Sequence, residues 1–176
     1  MNTLNTLQFE KAHADIFKFD NDTEVAEFHV MLHVDDSTLS FPEQLETILN
    51  AYDALLEGEL KDVRCVFKRY FLSDSANQED DVVAADMTDC AKSVVQQAPL
   101  DGTKIALWAY LMTNVQTGVG KSGLYEVKHG GYRHLWNGGA HNLAANSEYQ
   151  TRLLFNEYNL QLIEEGCTLK DNCIRT

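Results

Sequence analysis

Residues able to do chemistry occur in a few small groups along this chain. Gly118-Val119-Gly120-Lys121-Ser122 has the end of a phosphate-binding loop, but GxxxxGK[ST] needs glycine at position 115 and the chain has Val115. Such a loop must also open a helix whose N-terminus meets the phosphates, and the residues after Ser122 have a strand pattern. The segment therefore reads as a linker. His29 and His33 fall on one face of an extended segment and could supply half of a zinc site. No third ligand of matching spacing stands out, so they read as packed or hydrogen-bonded sheet histidines, and no metal is expected. His129, His134 and His141 flank a glycine-rich hairpin and read as surface or loop residues. Cys65 alternates with Val63 and Phe67 in an apolar strand, which suits a core thiol better than a nucleophile. Arg69 follows on that same face if the strand stays regular. There its planar fork could bind a carboxylate, or it could snorkel to water.

Positioning these residues requires a set of strands and helices. Ala14 to Phe19 and Val25 to Val34 read as strands around the turn-forming Asp20-Asn21-Asp22. Ser40-Phe41-Pro42-Glu43 has the form of a capping box, and Leu45, Ile48, Leu49, Tyr52, Leu55 and Leu56 follow at helical spacing to Gly58. Val63 to Leu72 is a strand, Ser73 to Asp81 a polar loop, and Asp80 to Gln97 a second helix ending before Pro99. Glu79, Asp80 and Asp81 then lie at that helix's start, where its dipole favours acids, so they read as a cap and not a metal site. Lys104 to Met112 reads as a buried strand. The β-β-α-β-α-β order predicts an α+β fold of mixed α/β layers. Thr113 to Gly123 is a linker. Leu124 to Lys128 and Tyr132 to Trp136 form a hairpin through Gly130-Gly131. Asn137 to Asn146 is loop, and a helix capped by Ser147 runs to about Gly166.

Composition narrows the function. The formal charge is −13 and no basic run occurs, so nucleic acid and anionic membrane are poor partners. No apolar run is long enough to span a membrane, and Met1 to Phe9 lacks the apolar core of a signal peptide. Cys65, Cys90, Cys167 and Cys173 show no CxxC spacing and read as free thiols of a cytoplasmic protein. No cofactor is implied.

The chain also repeats itself. A shift of 106 positions places Gln44, Asn50 and Tyr52 on Gln150, Asn156 and Tyr158, and Ile48, Leu49 and Leu56 on Leu154, Phe155 and Leu162. After three inserted residues Leu60-Lys61-Asp62 meets Leu169-Lys170-Asp171, and the sequence ends where the next strand of the second copy is due. The organisation expected is residues 1–117 as one unit, then residues 118–176 as linker, hairpin and helix opening a second.

Several of these segments resemble the RidA/YjgF family of reactive-intermediate imine deaminases, also called the L-PSP endoribonuclease family. They are the helix from Pro42-Glu43-Gln44-Leu45 to Leu56, then Leu60-Lys61-Asp62-Val63, then Phe71-Leu72-Ser73-Asp74. Glu148-Tyr149-Gln150 to Gly166 and Leu169-Lys170-Asp171 resemble the same stretch again. The resemblance implies a chorismate-mutase-like mixed sheet with two helices on one face, trimer-like homo-oligomers, and hydrolysis of enamines or imines to ketoacids. The family's substrate-gripping arginine would fall within Thr88 to Ala98, where Lys92 is the only basic residue. Its glutamate would fall within Lys104 to Met112, where there is none. The expectation is a RidA-like module without a catalytic residue, serving oligomerisation or binding a small carboxylate metabolite through Arg69 or Lys92. The alternative is a deaminase with an altered site.

Overall fold

The computed structural model describes residues 2–20, 22–143 and 146–170. The fold is α+β: a six-stranded mixed sheet carries two helices on one face, and a three-stranded sheet packs on its other face. Strands β2 (Ala12–Phe19) and β3 (Glu27–Val34) bury alternate side chains, as a sheet with one strongly covered face demands. They pair antiparallel, with His13 opposite His33. Strand β1 (Thr3–Gln8), which the polar N-terminus did not suggest, lines the edge of β2. Its side chains are mostly exposed, so the backbone ladder holds it and burial leaves no pattern to read.

Helix α1 (Phe41–Glu57) starts where the capping box predicts. The Glu43 carboxylate accepts from the Ser40 N–H at 2.8 Å and from its hydroxyl at 2.6 Å. Leu45, Ile48, Tyr52 and Leu55 are buried against the sheet, whereas Leu49 and Leu56 lie on the flank of the stripe. Buried Gln44 ties the helix to the sheet. Its amide donates to the Leu39 carbonyl at 3.0 Å and its oxygen accepts from the Lys104 N–H at 2.7 Å.

Strand β4 (Val63–Leu72) is as expected, but the next two elements are not. Helix α2 (Ser75–Ala85) occupies the segment read as loop, and the second half of the predicted Asp80–Gln97 helix is strand β5 (Ala91–Gln96). Helix α2 buries only Gln78 and Val82, so no apolar stripe announces it. Glu79, Asp80 and Asp81 therefore sit inside it on the solvent side and cap nothing. Strand β5 runs parallel to β4, with α2 as the crossover. Strand β6 (Ile105–Thr113) fills the centre, giving the order β1-β2-β3-β6-β4-β5.

Strand β7 (Gln116–Val119) lies within the segment read as linker, so a boundary between residues 117 and 118 falls inside it. The hairpin of β8 (Tyr125–His129) and β9 (Tyr132–Trp136) turns through Gly130 and Gly131 at φ of 53° and 79°. Tyr125, Val127 and Trp136 pack with Val66, Phe67 and Tyr110 on the face of the large sheet opposite the helices. Helix α3 (Ser147–Glu164) is capped by Asn146, not Ser147; the Asn146 side chain accepts from the Tyr149 N–H at 2.9 Å. Leu162 is buried, Leu154 and Tyr158 are half-buried, and Phe155 is exposed. The expected opening of a further strand from Asp171 onward lies outside the described residues.

Candidate functional site

A β-bulge decides which residues β4 offers to each face. The pairing of β4 with β6 slips between Cys65 and Phe67. The strand does not stay regular, and the expectation that Cys65 and Arg69 share a face fails. Cys65 packs into the core under the helices with Tyr70 and Leu72, whereas Phe67 joins the opposite core. Arg69 follows Phe67 onto the side away from the helices.

There the Arg69 guanidinium lies 5.3 Å from the Phe67 ring centre and 5.8 Å from that of Trp108. Such cation–π seating holds the planar guanidinium in place. Among the described residues Arg69 forms no ion pair, and its Nε is buried without a hydrogen-bond partner. Trp136 reaches the same Phe67 ring at 5.7 Å, and its indole Nε1 is likewise buried and unpartnered. Burying two N–H donors without acceptors beside one aromatic ring carries a desolvation cost. His29 stacks on Trp108 at 5.8 Å and on Tyr110 at 5.0 Å, and so extends the aromatic shelf. The loop after β9 crosses β5 closely here: a Cβ added at Gly138 would collide with the Lys92 backbone.

Lys92 is not part of this site. In the parallel register Lys92 pairs with Lys68 and Ser93 pairs with Arg69, so Arg69 and Lys92 project to opposite faces. The Lys92 ammonium donates to the Asp86 carbonyl at 2.5 Å and lies 3.6 Å from the Asp86 carboxylate. Fully buried Lys68 approaches that carboxylate at 3.0 Å, donates to the Thr88 hydroxyl at 2.8 Å, and sits 3.6 Å from the Tyr52 ring centre. The Tyr70 hydroxyl donates to the other Asp86 oxygen at 2.8 Å. Burial would raise the Asp86 carboxyl, but the Lys68 charge and the bonds from Thr88 and Tyr70 outweigh it and hold it at about 2. Burial also pushes the Tyr52 and Tyr70 hydroxyls up.

This network floors a groove of about 780 Å³ between α1 and α2. Its lining includes the acids Glu46, Asp53, Asp81 and Asp86, and its one cation, Lys68, is already satisfied. Those acids make the groove unfavourable for an anionic ligand. The sequence did not show which of Lys68 and Arg69 is ion-paired. A lysine in an apolar strand reads as a snorkelling residue, and only the bulge places Phe67 and Arg69 together on the outer face. The i, i+2 spacing of Phe67, Arg69 and Phe71 is the signal that could have marked the shelf. No family model, curated protein or solved structure matches this chain significantly.

Proposed function

We propose that this chain is a RidA-like module that binds a small carboxylate at Arg69 and does not itself hydrolyse imines. The observation that carries this reading is the unpaired Arg69 fork on the Phe67–Trp108 shelf, in a chain of net charge −13 whose other described core cation, Lys68, is fully paired. A mixed sheet with two helices on one face is the architecture that the resemblance implies, and it supports the family reading. Three antiparallel strands followed by a helix occur twice, as β1 to α1 and β7 to α3, which supports a tandem organisation. The family's arginine and glutamate positions fall on β5 and β6, which carry Lys92 and no glutamate; this supports a binding role over a hydrolytic one. The module works as a homo-oligomer. Leu4, Phe17 and Phe19, exposed on β1 and β2, leave apolar surface for a second copy.

Both tryptophans of the chain belong to the shelf, so intrinsic fluorescence reports on the site. Titration with 2-oxobutyrate should change the emission saturably, and the neutral 2-oxobutyramide should not. Arg69→Ala should weaken binding about 10- to 150-fold, the worth of a charge-assisted hydrogen bond. Equal binding by Arg69→Ala would end this reading. Release of ketoacid from an enamine at a rate that Arg69→Ala abolishes would put the deaminase in its place.

A further inference from the structure

The face of the large sheet away from the helices carries a second group of functional side chains, built on β2 and β3. His13 and His33 are directly opposed across the antiparallel pair, and Asp15 lies two residues along from His13 on the same face. One ligand atom from each of the three lies within 4.8 Å of the others. We propose that His13, Asp15 and His33 form a binding site for a divalent transition-metal ion, Zn²⁺ being the ion the donor set fits. Two imidazoles and a carboxylate are a recurrent zinc ligand set, and they leave a fourth position for water or a small ligand.

His13 and Asp15 each have a hydrogen-bonded outer partner, and His33 has a carboxylate nearby. His13 Nδ1 lies 2.6 Å from an Asp35 carboxylate oxygen, which fixes the proton on Nδ1 and leaves Nε2 as the lone-pair donor. His33 Nδ1 lies 3.9 Å from an Asp101 oxygen, placing a carboxylate behind the second ring as well. Asp15 accepts from the Thr6 hydroxyl at 2.5 Å through one oxygen, and its other oxygen can turn to the cation. The rings of His13 and His33 stack at 5.1 Å and 19°. A tetrahedral ion with bonds of about 2.0–2.1 Å needs its ligand atoms about 3.3 Å apart, so small side-chain rotations close the site. All three ligands are half-buried, which gives the ion a path in. His29 and His33, the pair that spacing first suggests, do not meet over one ion: His29 is stacked on Trp108 and Tyr110. Asp15 is not four residues from either histidine in sequence; only the hairpin register brings the three together.

The test is calorimetric titration of the full chain with Zn²⁺, and absorption spectroscopy with Co²⁺ as a coloured substitute. The wild type should bind one ion saturably. His13→Ala and His33→Ala should each abolish that binding, and Asp15→Asn should weaken it. Asp35→Asn, which removes only an outer partner, should weaken it about 10- to 100-fold. His141→Ala, at an exposed loop position, serves as the control and should bind as the wild type does. Circular dichroism checks that each variant is folded; if His33→Ala is not, the milder His33→Gln replaces it. No saturable Zn²⁺ binding by the wild type, or binding unchanged in folded His13→Ala or Asp35→Asn, overturns the proposal. So does a thiolate-to-Co²⁺ charge-transfer band, which would place the ion on cysteine.

Discussion

Replacing Lys68 by methionine tests the ionic network under α1 and α2. Lys68 has no exposed surface, and its ammonium stands 3.0 Å from the Asp86 carboxylate. At an effective dielectric constant of about 20 that pair attracts by about 5 kcal/mol, before the cost of taking both charges from water. Methionine fills similar space but leaves Asp86 buried with Tyr70, Thr88 and the more distant Lys92 as partners. The expected loss is about 3–5 kcal/mol at pH 7. The pH dependence is the sharper test. With Lys68 present Asp86 is held at about 2, below its ordinary 3.8. That depression contributes about 2 kcal/mol, present above pH 4 or so and lost as pH falls through about 2. Without Lys68 burial acts on Asp86 with less opposition and its pKa rises, so acid neutralises a poorly paired buried charge. The deficit of Lys68→Met should therefore shrink between pH 7 and pH 3 in urea unfolding followed by fluorescence. Adding Asp86→Asn to the variant should restore part of the stability. A deficit under 1 kcal/mol at pH 7, or one equal at both pH values, would refute this reasoning.

Two further outcomes follow from the packing. Ile48→Ala, at a fully buried position of α1, should cost about 2–5 kcal/mol, and Leu49→Ala, on the flank of the stripe, clearly less; urea midpoints of the two variants check this. Gly138→Ala places a methyl against the Lys92 backbone, so it should lower the melting temperature and red-shift Trp136 emission as the loop lifts from β5.

What the sequence revealed depended on whether a local pattern could carry the information. Ser40 with Glu43 and the apolar stripe behind them located α1 because cap and period are both local. Gly130-Gly131 located the hairpin for the same reason. Helix α2 and strand β5 were misread because neither is made by its own pattern. The helix is almost wholly exposed, and the strand exists through its parallel pairing with β4. Arg69 was legible as a residue that could grip a carboxylate, but Lys92 could not be separated from it without the register. His13 was missed because the strand was read as starting at Ala14, one residue beyond it.

Lys68 and Arg69 show how far position outweighs residue type. They are neighbours on one strand, both cationic, and both rest on an aromatic ring. The chain passes from α2 through Asp86 to β5 on the helix side, so a carboxylate is delivered to Lys68 and, among the described residues, none to Arg69. One charge is thereby committed to an ion pair, and the other has none among the described residues. The bulge between Cys65 and Phe67 sets this division. A one-residue slip exchanges the faces of everything beyond it, so a strand without the bulge would turn Arg69 toward Asp86 and Lys68 toward the aromatic shelf. Lysine would be the poorer ligand grip there, because a single ammonium cannot present the paired donors of a guanidinium. The face that Arg69 occupies is thus a property of the pairing between β4 and β6: the residue type suggested a carboxylate grip, and only the register shows which side of the sheet it is on.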